Sequence, residues 1–376
     1  MSPTPATAVS DAGEPLPRST GLAVPDTAEP LLRTTGLTRH FRLGGLLSRR
    51  VLHAVDDLDL VIHEREIVAL VGESGSGKTT VARLLAMIYP PTRGEIHYRG
   101  RSVHKLHSRK DVLWYRGEVP MVFQDPYSAM NPVFRVSHGV MRNLKLHRPE
   151  LDSAGRHREA ERVFDIVGLN PAGDMLRKFP YEMSGGQRQR VGFAQALAVR
   201  PRLILADEPV SMLDVSIRAG ILNMMAGLRA EEGASILYIT HDIASARYVA
   251  DRIIVMYAGH AVEQGPTEVV LSRPKHPYTQ LLLSAVPDPR EKAVPVSADS
   301  GEPPRVIDPG EGCRFRQRCP YAIDKCSDLT PLLRPMGPAH DAACHVAVGG
   351  ATDSDGTAAD GAALAERPTD SAFTKP

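Results

Sequence analysis

Gly72-Glu73-Ser74-Gly75-Ser76-Gly77-Lys78-Thr79-Thr80 follows directly on the apolar run Ile67-Val68-Ala69-Leu70-Val71, and this junction decides the fold. The apolar run reads as a buried strand, and the pattern G-x-x-x-x-G-K-[ST] after it reads as a phosphate-binding loop that opens a helix at Thr79-Thr80. Glycines admit backbone conformations that a β-carbon blocks, so the N–H groups from Gly75 to Thr79 can turn inward around phosphate oxygens. Lys78 adds a point charge at the β- and γ-phosphates, and Thr79 offers a hydroxyl to Mg²⁺. The helix aims its positive end at the same anion. A Gly-Ser turn with a chance lysine is the plainer alternative, and the strand before and helix after count against it.

The surrounding chain has 376 residues, 42% hydrophobic and 24% charged, enough for one full globular domain and an appendage. A formal net charge of +1 gives no general attraction to nucleic acid, so none is expected as a partner. No stretch approaches the roughly twenty uninterrupted apolar residues that span a bilayer, and the first residues lack the pattern of a secretion signal. The chain is therefore read as cytoplasmic. Residues 1–30 and 349–376 are rich in Ala, Thr, Pro, Asp and Gly, with little to bury, and read as disordered tails.

Between the tails the pattern is that of an α/β domain over 31–266. Leu37, Arg39 and Phe41 alternate, and Ala54 to Ile62 follows after a glycine-containing excursion, which predicts two antiparallel strands and a loop. Alternation alone makes Phe41 a core contact at a strand end. Val119 to Phe123 reads as a strand ending at Gln124, whose side chain a loop could carry to a metal-bound water; a surface amide is the alternative. Residues 137–182 take helical spacing, interrupted at Pro171 and Gly173, and imply a helical subdomain. At its end Ser184-Gly185-Gly186-Gln187 opens a long helix with Ser184 as N-cap, which makes either a plain capped helix or a second anion site.

Leu203-Ile204-Leu205-Ala206-Asp207-Glu208 is a buried strand ending in two carboxylates. Asp207 suits a Mg²⁺ held through its water shell, and Glu208 is placed to polarise an attacking water. Ser211 to Asp214 leads into the next helix, and the strand Ser235 to Thr240 ends at His241. Polar candidates thus stand at the C-terminal ends of several strands, where α/β sheets bind ligands. Beyond Gly265, a helix from Thr267 closes the domain, and Val286 to Pro309 reads as a linker. The four cysteines follow as Cys313-x5-Cys319-x6-Cys326, with Cys344 beside His345. In a reducing compartment they read as metal or cluster ligands, with free thiols in a small apolar knot as the alternative.

In order and spacing, Gly72 to Thr80, Gln124, Ser184 to Gln187, Leu203 to Glu208, Ser211 to Asp214 and His241 resemble the nucleotide-binding subunit of an ABC transporter. Met183 and Met212 stand where that family usually has other residues, and neither touches the phosphate chemistry. The resemblance implies a P-loop NTPase with a mixed sheet core, an antiparallel β-subdomain, a helical subdomain and a small cysteine-containing extension over 267–348. It implies ATP and Mg²⁺ as ligands, contacted by residues 72–80 and by a head-to-tail partner's Ser-Gly-Gly-Gln. Glu208 would be the general base, Gln124 would contact Mg²⁺ and the attacking water, His241 the γ-phosphate, and Asp214 would couple the two sites. Phe41 falls where the family stacks adenine.

Phe179 to Ser184, Asn131-Pro132, His276-Pro277-Tyr278-Thr279, Gly312-Cys313-Arg314-Phe315 and Arg318-Cys319-Pro320 resemble the ATPase subunits of oligopeptide and dipeptide importers. Some of those carry a four-iron four-sulfur cluster on matching cysteines, which makes Cys313, Cys319, Cys326 and Cys344 its expected ligands. The implied partners are a second ATPase subunit, two transmembrane permease subunits at the cytoplasmic face of the membrane, and indirectly an extracytoplasmic solute-binding protein. Nickel or oligosaccharide uptake is the alternative within transport. An ATPase acting on DNA or ribosomes is disfavoured by the single cassette and the short gap from Lys78 to Ser184.

Overall fold

The computed structural model describes residues 29–44, 50–126, 130–285 and 306–347, and both expected tails lie almost wholly outside it. Two sheets take up the strands. Strand β1 (Leu32–Arg42) pairs antiparallel with β2 (Val51–Ile62), from Leu32↔Ile62 to Arg42↔Val51. The fully buried β3 (Ile67–Val71) belongs to the second sheet and leads to helix α1 (Lys78–Leu85). Strands β4 (Arg93–Tyr98) and β5 (Arg101–Ser102) complete the first sheet in the order β2-β1-β4-β5. Its inward side chains, among them Leu32, Leu58, Leu60 and Tyr98, share one core with Val68 and Leu70 of β3 and with Val81 and Leu85 of α1.

After helix α2 (Arg109–Glu118), the strand expected over 119–123 is reduced to β6 (Met121–Val122), which pairs only with Leu205 and Ala206 at the sheet edge. Pro120 has no N–H to extend the ladder, and Phe123 already turns toward solvent. Helices α3 (Ser137–His147), α4 (Ser153–Ile166) and α5 (Ala172–Arg177) then form the helical part, with Val163, Phe164, Val167 and Leu169 buried in its core. Gly168 takes φ +71° between α4 and α5 and Pro171 stands at the N-terminus of the second, so the break falls at Gly168 and Pro171, while Gly173, expected to interrupt the helix, lies inside α5.

Helix α6 (Gly185–Leu197), strand β7 (Leu203–Asp207), helix α7 (Val215–Glu231), strand β8 (Ser235–Thr240), helix α8 (Ile243–Val249) and strand β9 (Arg252–Tyr257) return the chain to the second sheet. Strands β9-β3-β8-β7-β6 run parallel at its centre. Strand β10 (His260–Pro266) then turns back antiparallel on β9 and precedes helices α9 (Thr267–Ser272) and α10 (Pro277–Ser284).

The extension is joined to this sheet rather than hung beside it. After the short helix α11 (Lys325–Asp328), the hairpin β11 (Arg334–Gly337) and β12 (His340–Ala342) adds to β10 through Glu263↔Ala342 and Gln264↔Asp341. Buried Glu263 accepts hydrogen bonds from the backbone of Lys275 and His276 and pairs with His340 at 2.7 Å. The end of the expected linker is also structured. The His53 N–H donates to the Val306 carbonyl, and Leu52 bridges Ile307, so residues 306–308 lie along β2; residues 286–305 are outside the described set. Val306 is buried, which a solvated linker would not allow. Among the described residues no helix is long and apolar enough to cross a membrane.

Candidate nucleotide site

Sheet register assembles the site. Val71 pairs with Thr240, and Asp207 with Ile239, so the residues that follow these strands, Gly72, His241 and Glu208, emerge together at the C-terminal end of the parallel strands. The loop from Gly72 to Gly77 is shaped by close approach. A β-carbon on Gly72 would lie 2.1 Å from the Met256 carbonyl oxygen, and one on Gly77, at φ +105°, 2.2 Å from that of Ala54. No side chain fits at either position.

Lys78 is buried, and its Nζ donates to the carbonyls of Gly72 at 2.7 Å and Glu73 at 2.9 Å. Burial lowers its pKa, while the carboxylates of Glu208, Asp207 and Glu73 favour its charged form. The Thr79 hydroxyl donates to Asp207 at 3.0 Å. Burial raises the pKa of Asp207, opposed by that hydrogen bond. A divalent cation between Thr79 and Asp207 would favour the ionised carboxylate.

Glu208 is the meeting point. It adopts φ +44°, a left-handed conformation that a glutamate takes at a cost, with its N–H donating to the Ile239 carbonyl and its own carbonyl accepting from Ser211. Its carboxylate accepts from the Gln124 amide at 2.9 Å and lies 3.3 Å from His241 Nδ1. The lysine, the hydroxyl and carboxylate pair, and this triad together can hold phosphates and a cation and withdraw a proton from water.

Other expected residues stand apart. Ser184 caps α6, its hydroxyl accepting from the Gln187 N–H while the Gln187 side chain accepts from the Ser184 N–H. Gly186 presses on Ile217 of α7, where a β-carbon would approach Cγ2 to 2.5 Å. Exposed Asp214 precedes α7 without capping it. Among the described residues no hydrogen bond or ion pair joins this group to the phosphate loop. Phe41 ends β1 half-buried, edge-on to Tyr89 at 5.5 Å and with the Arg39 guanidinium 4.6 Å above its ring.

The four cysteines converge. Cys326 and Cys344 are buried and Cys313 and Cys319 half-buried, and the Cys313 N–H donates to the Cys326 carbonyl at 2.8 Å. Burial pushes the thiols of Cys313, Cys319 and Cys344 up, the last to about 11, and the proximity of the others adds to it. Among the described residues the one group of three such side chains with ligand atoms all within 4.8 Å of one another is His40, His53 and Asp56, so no three of the thiols are that close together. That second group is already balanced in charge, because the Arg314 guanidinium pairs with Asp56. Burial alone would raise the Asp56 pKa; His260, His40, Arg314 and His53 outweigh it and hold the carboxyl far below its usual range.

Residues 278 and 318 also reach the loop, and local pattern assigns a role to neither. The Tyr278 hydroxyl accepts from the Glu73 N–H at 2.9 Å, and Arg318 forks onto the Glu73 carboxylate at 2.9 and 3.0 Å. No local pattern announces contacts between residues 205 and 245 positions apart.

A phosphate loop at the end of a parallel sheet, an antiparallel sheet beside it and a separate helical part carrying Ser-Gly-Gly-Gln define a nucleotide-binding cassette of the ABC class. The ABC transporter family matches residues 55–211, and the family of the C-terminal region of oligopeptide/dipeptide transporters matches residues 262–326. The chain is 39% identical over 317 residues to the oligopeptide transport ATP-binding protein YkfD of Bacillus subtilis, covering 82% of this chain and 93% of that one. It is 40% identical over 316 residues to the peptide ABC transporter ATP-binding protein y4tS of Sinorhizobium fredii, covering 82% and 88%. Among solved structures it resembles the dimeric cassette MJ0796 bound to ADP and Pi, at TM-score 0.56 and 27% identity over 63% of this chain and 98% of that one. The chain belongs to the ABC transporter ATP-binding proteins with an oligopeptide/dipeptide-type C-terminal region, and it is an ATPase.

Proposed function

We propose that this ATPase drives import of oligopeptides or dipeptides through two permease subunits at the cytoplasmic face of the membrane, fed by an extracytoplasmic binding protein. The observation that carries the hydrolytic part is Glu208, held between Gln124 and His241 one residue beyond the Thr79–Asp207 pair. Thr79 and Gln124 would hold Mg²⁺ directly, and Asp207 through its water shell. Glu208 takes the proton of the attacking water, His241 contacts the γ-phosphate, and residues 72–80 bind the phosphates while Phe41 stacks on the adenine. The relatives' names and the matched C-terminal region support peptides as cargo.

Each nucleotide lies between this phosphate loop and the Ser184 to Gln187 segment of a facing subunit, with Asp214 coupling the two sites. The separation of these segments within one chain supports that arrangement, as does the dimeric state of the solved cassette. A cleft of about 210 Å³ beside Gln124, lined by Phe123, Met130, Gln189 and Gln195, offers the permease a seat between the sheet and the helical part. Reconstitution with the permease subunits tests the whole reading: ATP turnover should rise with peptide-loaded binding protein, and turnover indifferent to peptide would refute it.

The gathering of Cys313, Cys319, Cys326 and Cys344 in one small extension, with the Cys313 N–H on the Cys326 carbonyl and none of the four exposed, supports a bound iron–sulfur cluster, which would supply a redox-active crosslink there. The thiols must ionise to bind it, so loading releases protons. An anaerobic preparation without iron or visible absorption would refute this assignment.

A further inference from the structure

Glu73 is the second residue of the phosphate loop, and it is held at three points. Its carbonyl accepts from Lys78 Nζ, its N–H donates to the Tyr278 hydroxyl, and its carboxylate takes both arms of Arg318. Two of these three anchors come from the C-terminal extension. Both are rigid: Tyr278 is fully buried, its ring 4.6 Å from Tyr257 and 5.5 Å from Phe315, and the Arg318 side chain is 13% exposed beside the same rings.

We propose that Arg318 and Tyr278 are positioning residues for nucleotide binding, fixing Glu73 so that its carbonyl seats Lys78 and its carboxylate stays neutralised beside the triphosphate. This rests on the nucleotide-site reading above. The Glu73 charge acts on Lys78. Freed of Arg318, that carboxylate would repel incoming phosphates and compete for the lysine that should meet them. Tyr278 acts differently, by holding the peptide whose carbonyl orients Lys78 Nζ. The extension is in this sense part of the nucleotide site, although it contributes no atom to the phosphates.

Equilibrium binding of a fluorescent ATP analogue to the full-length purified chain tests the proposal, with near-ultraviolet circular dichroism and melting as controls for folding. Arg318→Ala should weaken binding by roughly three- to tenfold, and more at low salt. Glu73→Ala combined with Arg318→Ala should recover most of that loss, because the uncompensated carboxylate has gone. Arg318→Lys should fall between, since it keeps the charge and loses the fork. Tyr278→Phe should raise KM for ATP about two- to fivefold with kcat nearly unchanged. Wild-type affinity in Arg318→Ala at low salt, or a double variant binding no tighter than Arg318→Ala, would overturn it. A wild-type chain that binds no nucleotide would instead remove the functional reading beneath it.

Discussion

Glu208 shows at the scale of one residue how the backbone serves the site. At φ +44° it departs from the strand it follows, and the turn delivers its carboxylate to Gln124 and His241 instead of continuing the pleat beside Asp207. As the proposed base, Glu208→Gln should retain ATP affinity and lose turnover by a factor on the order of 10² or more, read by phosphate release against nucleotide binding on the same sample. Turnover near wild type would remove it from that role. Lys78→Ala has the opposite signature. The variant should lose ATP affinity itself, because the one buried ammonium among the described residues is gone; unchanged binding would contradict the assignment.

Helix α10 carries an acid sensitivity that belongs to an element. Its N-cap is His276, 1% exposed, whose Nδ1 accepts from the Tyr278 N–H at 3.0 Å, and burial pushes its pKa down from 6.5 to about 3. In the unfolded chain this histidine takes up its proton near 6.5, whereas the folded one resists to about 3. Its contribution to stability is therefore complete above pH 6.5 and is lost as pH falls from there toward 3. His276→Asn keeps a capping oxygen and cannot titrate. Melting temperature should fall less steeply between pH 6.5 and 5 in that variant than in wild type; equal slopes would refute the account.

At the scale of elements, residue pattern and structure agree where periodicity or punctuation is strong. The phosphate loop, β7 with its terminal carboxylates and the capped α6 all fall where residue pattern places them. Strand β6 proved shorter than its apolar run, because an edge strand after Pro120 has one neighbour to pair with. Residues 306–308 end a stretch with the composition of a linker, and a three-residue segment has no period of its own; β2 supplies the partner that orders it.

At the scale of the molecule, the loop at Lys78 and the α6 start at Ser184 are separate halves of what the proposed mechanism needs as one site. For pairing between copies, Lys78→Ala and Ser184→Arg chains should each be inactive, while an equal mixture should regain roughly a quarter of wild-type turnover from mixed dimers with one intact site. No recovery would exclude copy-to-copy pairing and leave a related chain as the second half.

The sequence alone determined the α/β class, the phosphate loop, the order of the site residues and the clustering of thiols in the extension. These are properties of short stretches, where the spacing of apolar, glycine and charged residues is itself the cause of the local structure. Only the tertiary structure decided that β10 receives a hairpin from the extension, that Glu208 lies between Gln124 and His241, and that Tyr278 and Arg318 grip Glu73. Contacts across so much chain depend on how packed layers bring strand ends and loops together, and no local pattern of residues encodes that distance.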